Sequence, residues 1–183
     1  VETLPVGRLC IARASVGGTQ EGMRTVTDTA AAERVPISLV AAGDRIALDS
    51  AVTITVLHPA DGETSSHDNA NSIVLQIEYT GRRILLTGDV ERDGLDRLLS
   101  LPERPVDVLM SPHHGSRAAN PPQLAAWSDP KIVVVSSGTE RPTAFLREIY
   151  GEDVAIWCTA ESGAVAIEIA ADGTVRAAGG AGK

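Results

Sequence analysis

Two short stretches hold the residue types that do metal or acid–base chemistry. One is Val106-Asp-Val-Leu-Met-Ser-Pro-His-His-Gly-Ser-Arg117, an apolar run that stops at Pro112 and is followed by two adjacent histidines, Gly115 and Ser116. It holds His113 and His114, half of the four histidines in the chain. The other, earlier in the chain, is Arg83-Ile-Leu-Leu-Thr-Gly-Asp89, again an apolar run ending in glycine and an ionisable residue. Imidazole nitrogen and carboxylate oxygen bind the same divalent ions. Two buried strands that each deliver such a side chain at the C-terminal end point to one site at a sheet edge. Asp89 follows a strand and precedes a helix, so it is either a ligating or base-orienting carboxylate or a helix N-cap; position alone favours the cap. On an extended backbone His113 and His114 face opposite ways, so one reaches the site while the other faces a neighbour or the substrate. Ser116 either donates to a phosphate oxygen or caps the next turn. Of the remaining histidines, His58 ends a strand before a proline, and both it and His67 are within range of the same edge. For His67 the bland reading is an exposed loop residue, and for Asn69 and Asn71 it is turn chemistry.

The elements that must position these groups follow from periodicity. A short strand at 8–12 leads into a glycine-rich loop at 15–19. Met23, Val26, Ala30 and Ala31 recur at roughly helical spacing, which predicts a helix over 20–34 ended by Pro36. Strands are expected at 37–41 and 47–57, the second carrying the β-branched alternation Val52-Thr-Ile-Thr-Val-Leu57. Ile73, Leu75 and Ile77 share one face of a strand at 72–79, and Thr80-Gly81 turns it into 82–87 as a hairpin. Leu95, Leu98 and Leu99 predict a helix over 90–101, with Glu91 and Asp93 in its first turn, where the helix dipole favours them. A strand at 106–111 precedes a helix opened by Pro121-Pro122. Further strands are expected at 131–136, 154–158, 164–169 and 174–177, with a helix at 143–150 capped by Gly151 and a turn at Asp172-Gly173. The Gly/Ala-rich stretch 178–183 reads as a frayed tail. There is no internal repeat, and the sum is a mixed sheet with covering helices.

The chain is 183 residues long, enough for one domain with a core, and 43% apolar, which argues against disorder. Aromatics are only 3%, so the core is built from Val, Ile, Leu and Ala. A net charge of −8 gives no basic surface for gripping a polyanion, so a metal or another segment must supply positive charge if the substrate is nucleic acid. Cys10 and Cys158 sit in apolar strand-like runs and read as buried thiols; a disulfide between them would fit an exported location. No apolar run reaches the roughly 18 residues that span a bilayer, and no signal peptide opens the chain. A phosphate-cradling Gly-x-x-x-x-Gly-Lys loop, a Gly-x-Ser-x-Gly elbow and a Cys-x-x-Cys pair are all missing, which argues against a P-loop enzyme, a serine hydrolase and a zinc ribbon.

The order of motifs resembles a known family. Leu57-His-Pro59, Asn69-Ala-Asn-Ser-Ile-Val-Leu75, Leu85-Leu-Thr-Gly-Asp89, Val108-Leu-Met-Ser-Pro-His-His-Gly-Ser116 and Ile132-Val-Val-Val-Ser-Ser-Gly138 together look like the C-terminal part of a metallo-β-lactamase-fold domain. The variant they most resemble is that of ComEC-type competence proteins, the DNA-internalisation channel family. The resemblance implies an α/β (α+β) fold of αββα sandwich type. A partial domain would cover 1–177, followed by a disordered tail at 178–183. It implies one or two ions, zinc or manganese, activating a water for hydrolysis. Asp89 would then bridge the metals, His114 would ligate the second metal, and His113 and Ser116 would line the site or contact substrate. It also implies DNA, single-stranded or duplex, as substrate, a transmembrane channel portion of the parent as partner, and a place on the extracytoplasmic face of the bacterial membrane.

The sequence departs from that pattern in two places. The family's main metal motif, a His-x-His/Asp-x-Asp-His run, is not in these 183 residues. In the family it precedes a segment like Leu4-Pro-Val-Gly-Arg8, so it would fall just before Val1. Near Gly138 the family often has an Asn and a His-Pro, and here the run is Thr139-Glu-Arg-Pro142. Both departures predict weak metal binding and no hydrolysis by this chain alone. They keep open a non-catalytic structural or binding domain of a membrane DNA channel. Another hydrolase of the superfamily, a lactonase or a phosphorylcholine esterase-like enzyme, is a third reading. A sheet edge left open by a missing first part predicts pairing with a second copy.

Overall fold

Alternation and β-branching set the strands of the computed structural model, which describes residues 5–15, 21–47, 51–139 and 141–180. β1 (Leu9–Ala12) and β2 (Ile37–Val40) flank helix α1 (Glu21–Ala32) and pair in parallel as a separate two-stranded sheet. β3 (Arg45–Ala47), β4 (Val52–His58), β5 (Val74–Tyr79) and β6 (Arg82–Leu86) run antiparallel. From β6 the pairing turns parallel, through β7 (Val108–Met110) and β8 (Ile132–Val135) to β9 (Ala155–Cys158). These seven strands form one sheet in sequence order. Parallel neighbours need long crossovers. Helices α2 (Arg92–Leu99), α3 (Pro122–Ser128) and α4 (Thr143–Tyr150) supply them. A short helix α5 (Thr159–Ser162) leads to an antiparallel hairpin, β10 (Ala164–Ile169) and β11 (Val175–Gly180).

The core lies under the crossover helices. Leu85, Leu109 and Val133 are register partners on adjacent strands and each is 0% exposed. Leu95 and Leu98 of α2, Leu124 and Trp127 of α3, and Leu146 and Tyr150 of α4 belong to the same buried cluster. Each such leucine contributes roughly 1.5–3 kcal/mol of burial. The other face of the sheet takes the last hairpin: a Cβ on Gly179 of β11 would lie 3.1 Å from the Trp157 ring of β9. The order is helices, main sheet, small sheet, the mixed α/β class that the sequence predicts.

Some expectations shift. α2 starts at Arg92, because Glu91 is extended (φ −152°) and stands outside the first turn as the N-cap residue. β11 continues to Gly180, so 178–180 of the expected tail are paired with β10. The rest of that tail, 181–183, and the glycine-rich loop beyond Ser15 lie outside the described residues, as does Glu140 of the Thr139-Glu-Arg-Pro142 run. No disulfide joins Cys10 and Cys158. Among the described residues no helix is long and apolar enough to cross a membrane.

Candidate functional site

β6, β7 and β8 run parallel, so their C-terminal ends come out side by side. Thr87, 0% exposed, donates its hydroxyl to the Met110 carbonyl at 2.6 Å and ties the ends of β6 and β7 together. Gly88 turns with φ +56°, and its carbonyl accepts the His113 N–H at 3.2 Å. Asp89 follows, half-exposed at the sheet edge.

The histidine pair does not sit on extended backbone. His113 (φ 46°, ψ 53°) and His114 (φ 56°, ψ 27°) both adopt the left-handed conformation. This replaces the expected opposite-facing arrangement, and for non-glycine residues it costs roughly 1–2 kcal/mol each. The side chain of Asn120, buried at 0% exposure, braces this loop from behind. Its amide donates to the carbonyls of Pro112 (3.2 Å) and Ser116 (2.8 Å), and its oxygen accepts from the hydroxyls of Ser111 (2.8 Å) and Tyr150 (2.9 Å). Burial pushes the Tyr150 hydroxyl far above the ordinary tyrosine range, so it remains a donor. Gly115 (φ +80°) completes the turn; a Cβ there would meet the Pro142 side chain at 2.6 Å.

Each histidine is oriented through Nδ1. His114 Nδ1 lies 2.8 Å from the Ser136 carbonyl oxygen. A carbonyl has no proton to give, so Nδ1–H donates, and in the neutral ring Nε2 keeps its lone pair. That Nε2 faces Asp89 Oδ1 at 3.8 Å, too far for a hydrogen bond. Two acceptors facing each other at this distance suit a cation held between them. His113 Nδ1 lies 2.8 Å from Glu91 Oε2, while Glu91 Oε1 accepts from the Asn69 amide at 3.1 Å. Burial raises the pKa of Glu91, but the hydrogen bonds from His113 and Asn69 and the charges of His113 and Arg92 outweigh it, and the net shift is downward. Glu91 is therefore a carboxylate at neutral pH, His113 donates to it through Nδ1, and His113 Nε2 is turned away from that bond. The two imidazole centroids are 6.1 Å apart.

The other candidates go elsewhere. His58 is 2% exposed and bonds the Ala70 carbonyl through Nε2 at 2.7 Å, a structural tie between β4 and the loop after it. His67 is exposed in that loop. Asn71 makes turn contacts, accepting from Ser65 N and donating to Ser65 O, both at 2.8 Å. The Ser116 hydroxyl accepts the Ala119 N–H at 3.4 Å, within the local turn. Asp89 is not the α2 cap, since that position belongs to Glu91. Sequence reasoning missed Glu91, the reach of Asn69, and Asn120. No local pattern signals the Glu91 contact, because Gly88 and Asp89 form a turn closed by the Val90 N–H on the Thr87 carbonyl before the backbone extends at Glu91.

A metal ion fits this arrangement only in part. Asp89 and His114 offer two donors with the imidazole tautomer fixed by a backbone carbonyl, as metal-bound histidines commonly are. Among the described residues no group of three His, Cys, Asp or Glu side chains converges to complete a shell. Catalytic zinc sites ordinarily use three protein ligands.

The chain resembles the ComEC type of competence protein, as its motif order predicts. It is 31% identical over 134 residues to ComE operon protein 3 of Bacillus subtilis (strain 168), an alignment covering 73% of this chain and 17% of that protein. It is 28% identical over 110 residues to Recombination protein 2 of Haemophilus influenzae, covering 57% of this chain and 14% of that one. The chain thus spans less than a fifth of the length of either relative. No family model matches it. Two solved structures are similar in fold. One is a metal-dependent hydrolase of Parabacteroides distasonis (TM-score 0.49, 13% identity, 72% of this chain and 60% of that one). The other is a Zn-dependent hydrolase of the metallo-β-lactamase superfamily from Thermotoga maritima (TM-score 0.41, 12% identity, 68% and 73%).

Proposed function

We propose that this chain is the metal-binding, phosphodiester-directed part of a ComEC-type competence protein that acts in DNA uptake at the extracytoplasmic face of the cell membrane. The observation that carries this reading is the facing of Asp89 Oδ1 and His114 Nε2 at 3.8 Å, with the His114 lone pair freed by the Nδ1–H bond to Ser136. Asp89 and His114 would hold the ion, zinc or manganese. Such an ion, when bound, lowers the pKa of a coordinated water and neutralises charge on a phosphodiester. The chain's own residues orient the participants. Ser136 sets the His114 tautomer, and Glu91 with Asn69 sets that of His113, whose Nε2 is left to contact substrate. Ser116 contributes through the turn it closes behind the pair. With only two donors the ion is held weakly, and the chain by itself is expected to be inactive.

One observation favours a second reading, a non-catalytic binding domain docked to a membrane DNA channel: no third ligating side chain joins Asp89 and His114 among the described residues. Metal titration of the purified chain separates the two. Under the first reading zinc or manganese binds and Asp89→Ala and His114→Ala each abolish binding; under the second there is no saturable binding in any of the three.

A further inference from the structure

Arg117 follows the histidine loop directly and is exposed. Its guanidinium carbon lies 4.0 Å from the centroid of the Phe145 ring. Phe145 is itself packed against the core cluster, one turn into α4. The start of α4 is pressed against the same loop, as the Pro142 side chain beside Gly115 shows. So the cation lies over an aromatic face that is packed on the core, three positions along the chain from His114. A guanidinium has five N–H donors, and among the described residues no acceptor takes any of Arg117's. The other cations near strand ends differ. Arg82 and Lys131 are both committed to Asp107. In a chain of net charge −8, an arginine with no acid partner among the described residues, held over a ring just after the histidine loop, has a specific use. Stacking orients the guanidinium plane and leaves its edges free for paired N–H···O bonds to a tetrahedral anion.

We propose that Arg117, braced by Phe145, is the phosphate anchor of this site and binds a backbone phosphodiester of nucleic acid. The proposal deepens the function proposed above by naming the group that grips the substrate, and it rests on that reading for the identity of the anion. It also answers the lack of a basic surface: one oriented cation at the site replaces a broad positive patch.

The test is binding of a short fluorescent DNA oligonucleotide at low salt to the wild-type chain and to four variants, with zinc affinity measured on each. Arg117→Gln is expected to weaken DNA binding about tenfold and to reduce the salt slope by about one. Arg117→Lys keeps the charge but loses the planar fork, and Phe145→Leu keeps apolar volume but loses the ring; each is expected to weaken binding by a smaller factor. Arg24→Gln, an exposed arginine on α1 distant in sequence from the site, is expected to change it less than twofold. Zinc affinity is expected to stay at the wild-type level in Arg117→Gln. An oligonucleotide affinity equal in Arg117→Gln and Arg24→Gln overturns the anchor, as does undetectable binding by the wild type or equal competition by inorganic phosphate at the same phosphate concentration. The two readings fail separately. Loss of zinc binding in the wild type with a selective Arg117→Gln defect sinks the metal site and keeps the anchor. Zinc binding with no selective defect does the reverse.

Discussion

The histidines of the pair are held by different acceptors, and only one acceptor can be removed by mutation. Ser136 holds His114 through its backbone carbonyl, whereas Glu91 holds His113 through its side chain. Replacing Glu91 with Ala is expected to erase the downfield Nδ1 proton resonance of His113 and leave that of His114. It should cost about 1–3 kcal/mol of stability in denaturant titration; unchanged resonances for both rings would contradict the assigned bonds. Asn120→Ala leaves two carbonyls and two hydroxyls without their partner behind the loop, and a loss of about 3 kcal/mol is expected. A loss below half a kcal/mol would mean the left-handed pair is held by something else. Asp107, at the opposite end of the strands, gives the pH dependence. Burial raises its pKa, but Lys131, the Arg83 N–H and Arg82 outweigh it, and it lies below the ordinary 3.8. A depressed carboxylate contributes stability that is fully present above the unfolded-state pKa and is lost as pH falls through the folded one. Asp107→Asn is therefore expected to be about 1–2 kcal/mol less stable than wild type at neutral pH. That gap should close as pH falls below about 3.8, and a gap of equal size at pH 7 and in acid would rule out this ion cluster as its source.

Among the elements, α2 carries a glycine that propensity alone would remove. Gly94→Ala in a helix interior ordinarily gains about 1 kcal/mol. Here the new Cβ would run into the backbone of Ala70, with its carbonyl carbon at 2.8 Å and the carbonyl oxygen, which His58 bonds, nearer still. A net loss of stability is expected, and a rise in melting temperature would show that the loop before β5 yields freely. The elements were largely legible in the sequence. The apolar run ending in Thr87-Gly88-Asp89 and the apolar run ending at Pro112 both signal strands that deliver polar groups at one edge. The backbone inside the second motif was not legible, because two consecutive non-glycine residues in the left-handed region run against local preference. They persist through Asn120 and Tyr150, contacts that join positions far apart in the chain. The charge of Glu91 predicts a place in the first turn of a helix; its side chain instead serves His113, 22 positions on.

At the scale of the whole molecule, the mixed sheet gathers Asp89, His113, His114 and Arg117 at one end of the parallel strands, while Arg82, Asp107 and Lys131 close the other end. This separation leaves the acidic chain with a site of its own local charge and puts the structural ion cluster out of its reach. The central claim is that Asp89 and His114 face each other to share a cation, and direct metal binding tests it most plainly. Zinc or manganese should be titrated into the purified chain by calorimetry, beside Asp89→Ala and His114→Ala. The account predicts weak, saturable binding near one equivalent in the wild type and none in either variant. Binding that survives both substitutions, or no binding at all, would contradict it.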